Sequence, residues 1–279
     1  MAAVHTSDVA DLPDLPADAP RRGSGWRDVA LMVGPPVLVL GVLLGAWEAW
    51  VRLRHVKAYL LPPPSAVARA LADDPARFAS AMGLTLEAAL GGLLIATLFA
   101  FALAVLMAHS RPLERALYPP ALMLKVMPIV AIYPLFTIWF GFGIWPKMLI
   151  AALITFFPML VNAVIGLRSV DPQALDFLRA LHASRRQVFW RLRLPSSLPY
   201  LLAALRISVP LSLIGAVVAE FLSGSSGMGQ LILIANGDFD TATLFGAVFV
   251  LAALGVSLTA IVSYLERRVL DWHESSRGV

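Results

Sequence analysis

The chain has 279 residues, of which 59% are hydrophobic and only 14% charged. A soluble domain averages about 45–50% apolar and about 25% charged, so the composition excludes an ordinary water-soluble fold. The absence of cysteine excludes disulfides, thiol catalysis and cysteine metal sites, and the formal charge of +4 fits basic membrane-flanking loops better than a nucleic-acid surface.

Residues 1–28, "MAAVHTSDVADLPDLPADAPRRGSGWRD", lack an apolar core and read as a disordered tail, not a signal peptide. Six apolar runs follow, at roughly 29–51, 84–108, 116–140, 148–167, 200–222 and 242–265. Each approaches the ~20 residues that a helix needs to cross a bilayer, and none alternates as a barrel strand would. The expected fold is an all-α membrane protein with six transmembrane helices over 29–267, followed by a tail at 268–279. Gly41 and Gly45 make a small-xxx-small pair, which predicts a helix-packing face on the first span. Pro128, Pro134, Pro158 and Pro210 predict kinks.

Loop charges set the expected orientation. Segment 168–193 carries Arg168, Arg179, Arg185, Arg186, Arg191 and Arg193, whereas 223–241 has no Lys or Arg. Arg21, Arg22 and Arg27 flank the first span, and Arg267 and Arg268 follow the last. Both termini are therefore expected in the cytoplasm. The loop 52–81, with Arg52, Arg54, Lys57, Arg69 and Arg77, runs against this assignment.

The polar loop itself parses into two short helices. Asp171-Pro172 is a helix start, and Leu175, Leu178 and Leu181 form a narrow apolar stripe. Ser184 and Gln187 match a capping box that opens a second helix. That helix is expected to stop near Leu194, because Pro195 disfavours helix in the residue before it. His182 falls at the turn, where a left-handed residue is expected and glycine is cheapest.

Ionisable groups in the spans are functional flags. Lys125, Arg206 and Glu220 are the candidates to line a translocation path, with Glu87 beside them. The plainer reading of each is an interfacial charge that snorkels. "GSSGMGQL" at Gly224–Leu231 has the glycine spacing of a phosphate loop but lacks its Lys and Ser/Thr, and reads as an external turn. His5, His55, His109, His182 and His273 are scattered, so no metal site and no cofactor are expected.

The loop also resembles the EAA motif of ABC-importer permeases, E-A-A-x3-G-x9-I-x-L-P. Leu192 and Leu194-Pro195 fall in register, His182 stands at the motif glycine, Asp176 at its acid, and Phe177 and Leu178 at its alanines. Further blocks at 134–143, 156–172, 194–222 and 223–232 are similar to the nitrate/sulfonate/taurine-type permeases, over roughly 30–270. The resemblance implies a type I importer permease with a coupling helix that docks on a separate cytoplasmic ATPase. The docking residues would be Asp176, Phe177, Leu178, Arg179, Leu181, His182, Ala183 and Ser184. It also implies a second permease copy (a homodimer), an extracytoplasmic solute-binding protein, a bacterial inner-membrane location in contact with lipid, and no catalysis by this chain. The solute would be a small nutrient: nitrate, a sulfonate, taurine, or a pyrimidine or flavin precursor. The competing reading is a stand-alone secondary transporter driven by an ion gradient.

Overall fold

The computed structural model describes residues 26–270. The reading of 1–28 as a disordered tail falls outside these residues except for its last three, which begin a helix, and residues 271–279 lie outside them too. The described residues are helical: α1 Trp26–Leu53, α2 Pro64–Asp73, α3 Pro75–His109, α4 Arg111–Val126, α5 Ile129–Phe140, α6 Ile144–Arg168, α7 Pro172–Ala180, α8 Arg185–Val188, a π turn Phe189–Arg193, α9 Leu194–Ser223, α10 Met228–Gly237 and α11 Thr241–Val269.

Among the described residues, five helices are long and apolar enough to span a membrane, and the bent pair α4–α5 makes a sixth. The third span is thus not the continuous helix the sequence suggests. α4 and α5 meet at 101°, because Pro128 has no N–H to continue the ladder and forces Met127 into an extended conformation (φ −65°, ψ 134°). Pro195 has the opposite outcome. The expected stop near Leu194 does not occur, and Arg185–Ser223 runs on as one span. The π turn before Pro195 widens the ladder, with Leu194 N–H donating to Phe189 O, and so gives the proline ring room.

The core is α6, packed between α3 and α9. Small residues allow close approach: a Cβ on Gly92 would meet Ala151 Cβ at 2.5 Å, and one on Gly215 would meet Ala151 Cα at 2.7 Å. Dispersion contacts at such interfaces hold helices together in lipid, which adds no hydrophobic drive of its own. The expected packing face at Gly41 and Gly45 is not used within the chain. Neither glycine has an atom within 4 Å of its Cβ position, because α1 splays away from the bundle apart from contacts such as Trp47 on Phe245 and Phe249.

Loops gather at two ends. One end holds the α3–α4 elbow, the 168–195 hairpin and the end of α11, joined by Arg168 to Met107 O and by Arg206 to Glu266. The other holds 52–81, 141–147 and 224–240, joined by Thr241 to Ala58 O and by Lys147 to Ser225 O.

Candidate functional site

The 168–195 segment folds as the hairpin its residues specify. Asp171 caps α7, its side chain accepting from Gln173 N–H at 3.0 Å. α7 then ends in a Schellman motif: Ala183 N–H donates to Leu178 O (3.0 Å) and His182 N–H to Arg179 O (2.9 Å). His182 takes the left-handed conformation at φ +56°. Ser184 and Gln187 complete a reciprocal capping box, with Ser184 N–H on Gln187 Oε1 at 2.8 Å and Gln187 N–H on Ser184 Oγ at 3.3 Å.

Both turns of the hairpin are therefore fixed locally, while its outer surface is bare. α7 has no buried residue. Phe177 is 64% exposed and Leu181 62%, beside a surface pair of Asp176 and Arg179 at 3.1 Å. Leu178 and Ala183 are half-buried, and His182 and Ser184 are exposed. The eight residues assigned to docking thus lie together on one projecting element.

The feet of the hairpin are tied down. Arg168 forks onto Glu114, Nη1 to Oε1 at 2.7 Å and Nη2 to Oε2 at 2.8 Å, and Nη2 also donates to Met107 O at 2.9 Å. Arg193 Nη1 donates to Ala108 O at 3.3 Å. Glu114 did not stand out in the sequence, because it sits in a polar helix start among Arg111 and Arg115.

The path candidates are not brought together. Lys125, on α4, places Nζ 4.8 Å from the centroid of the Phe157 ring, a cation–π contact. Arg206 faces Glu266 at 3.4 Å across α9 and α11. Glu220 does not snorkel: it is fully buried, 0% exposed. Its carboxylate accepts from Thr85 Oγ1 (2.9 Å to each oxygen) and from Gly229 N–H (2.8 Å). Glu87, two residues beyond Thr85, is exposed.

The "GSSGMGQL" turn is built around Glu220. A side chain on Gly227 would collide with the Glu220 carboxylate, and one on Gly229 would meet Glu220 Cβ and Val217 O at 2.7 Å. From the other side, Lys147 Nζ donates to Ser225 O (2.7 Å), Ser226 O (2.8 Å) and Ser226 Oγ (2.9 Å). Sequence reading missed Lys147 and Thr85. The one signal was a lysine immediately before the apolar run at 148–167, after Trp145-Pro146.

Comparison with known proteins agrees with this architecture. Residues 92–271 match the model of the binding-protein-dependent transport system inner membrane component. The chain is 35% identical over 240 residues to the formylaminopyrimidine transport permease protein ThiX of Halalkalibacterium halodurans, covering 86% of this chain and 96% of that one. It is 38% identical to the riboflavin transport system permease protein RibX of Chloroflexus aurantiacus (87% and 91% covered). It is 30% identical to the taurine transport system permease protein TauC of Escherichia coli (88% and 91%). Among solved structures, an inward-facing form of the MetNI methionine ABC transporter shares the fold, with a TM-score of 0.57 at 17% identity, covering 69% of this chain and 94% of that one. With six spans, a hairpin at the EAA position and these relatives, the chain belongs to the binding-protein-dependent inner-membrane components, the permease subunits of ABC importers.

Proposed function

We propose that the chain forms half of a translocation path and that α7 docks on a cytoplasmic ATPase subunit, which supplies the energy. The observation that carries this is the exposed apolar pair Phe177 and Leu181 on a hairpin locked by caps at both turns. A short rigid helix with one apolar side and flanking charges fits a groove on a partner, because little ordering entropy is lost on docking. On this reading the hairpin and both termini lie in the cytoplasm.

A second copy of the chain completes the path. Val126, Ile138, Trp139 and Phe142 around the bent α4–α5 pair are all largely exposed, and a partner copy would cover them where lipid does not. The solute is a small nutrient delivered by an extracytoplasmic binding protein, of the kinds named for the relatives: a pyrimidine or flavin compound, or a taurine-like sulfonate. Of the path candidates, Lys125 is the one we retain for contact with an anionic solute, since Arg206 faces Glu266 and Glu220 is enclosed.

The test is uptake into proteoliposomes holding the chain, its ATPase and its binding protein. Uptake of the solute that the binding protein retains should require ATP and all three proteins. Uptake by the chain alone under an ion gradient would establish the secondary-transporter reading instead.

A further inference from the structure

The two feet of the hairpin converge on one place. α3 ends at His109, so its last carbonyls have no partner within the helix. Arg168, the last residue of α6, takes Met107 O, and Arg193, the last residue of the π turn, takes Ala108 O. Phe189 rests against His109, ring centroids 5.9 Å apart. Only Arg168 goes further, with both guanidinium nitrogens held by Glu114 in the first turn of α4. A bidentate fork fixes direction as well as distance, which a lysine could not do.

α4 is otherwise held to α6 by Tyr118 and Lys125 on the Phe157 ring. Ala121 is its one buried residue among those described, and it ends at the Met127–Pro128 bend. Arg168 and Glu114 are thus the ion pair that joins the foot of the hairpin to α4. We propose that Arg168 and Glu114 form a strut that passes movement of the docked hairpin to α4, and through it to the bend in the third span, with Arg193 holding the other foot to α3. This rests on the reading of α7 as the docking element. Arg168 and Glu114 are positioning residues, touching neither nucleotide nor solute.

The chain has no cysteine, so single-cysteine variants can carry a bimane fluorophore without further changes. Position 173, exposed on α7 and outside the docking residues, reports on the hairpin, and position 123 on the exposed side of α4, where Met123 is 65% exposed. In nanodiscs holding the full chain with its ATPase, ATP plus vanadate should alter the emission at both positions. With Arg168→Gln or Glu114→Gln, the response at 173 should persist. The response at 123 should fall about fivefold or more, the range of an ordinary coupling between sites. The charge swap Arg168→Glu with Glu114→Arg should recover part of it.

An undiminished response at 123 in both single variants would overturn the strut. So would a loss at 123 accompanied by a lowered Tm and no recovery in the swap, which would make Arg168 a folding residue only. The docking reading has its own control. If Leu178→Glu leaves the ATPase bound and the response at 173 unchanged, α7 is not the docking element, and the strut falls with it. If Leu178→Glu abolishes both while the strut variants behave as wild type, the strut alone is wrong.

Discussion

The hydroxyl of Thr85, on α3, lies 2.9 Å from both carboxylate oxygens of Glu220, on α9, and accepts the N–H of Met228 at 2.8 Å. With Gly229 N–H on the same carboxylate, one buried group joins two spans to the start of α10. The site has no exposure through which water could replace these bonds. Removing the carboxylate therefore strands the Gly229 amide, at about 1–3 kcal/mol, while the Thr85 hydroxyl keeps Ala81 O as an acceptor at 3.2 Å.

Glu220→Ala should destabilise the chain by about 1–3 kcal/mol on that basis, and Thr85→Val by a similar amount, since it strands the Met228 N–H. Gly229→Ala should also destabilise it, because its Cβ would press on Glu220 Cβ and Val217 O. Thermal unfolding in detergent measures all three. A wild-type Tm for Glu220→Ala would mean the cluster does not hold the bundle together.

Lys147 gives a more local expectation. Its Nζ satisfies three acceptors in the 224–228 turn. Lys147→Met should let that turn open more often, with amide exchange at Gly227–Gly229 accelerated about tenfold, which corresponds to about 1.4 kcal/mol. The α6 amides around Ala151, in the packed core, should exchange as before. Uniform acceleration throughout the bundle would contradict this.

The hairpin should behave in the opposite way to the Glu220 cluster. Phe177→Asp and Leu181→Asp replace exposed side chains, so stability should change by no more than about 0.5 kcal/mol. Co-elution of the ATPase should nevertheless be lost. A large drop in Tm would show that these side chains pack within the chain.

His182→Gly tests the turn. At φ +56° the imidazole carries a Cβ where glycine carries none, so the substitution should stabilise the hairpin by up to about 1 kcal/mol and retain nucleotide-driven transport. Impaired transport at unchanged stability would show that the imidazole makes a contact with the partner.

Local features of this chain were legible in the sequence, and long-range ones were not. Asp171, His182 and Ser184 act on neighbours within a few residues, and each has the role its position indicates: cap, left-handed turn and capping box. The two prolines show where local rules stop. Pro128, expected to kink a continuous span, breaks it at 101°, while Pro195 is accommodated because a π turn upstream moves the backbone out of its way. Glu220 was visible as a charge near a span end, yet its partners Thr85 and Gly229 come from separate elements, so its burial could not be read from spacing. The same holds for Arg168 and Glu114, 54 positions apart.

Site-directed cross-linking tests the central claim most directly. A cysteine at position 177 carrying a photoactivatable probe, in membranes containing the ATPase, should form an adduct with the ATPase. The same probe at position 233, on α10 at the opposite end of the bundle, should form none. ATPase adducts at 233 but not at 177 would contradict docking by the 168–195 hairpin and would invert the orientation of the chain in the membrane.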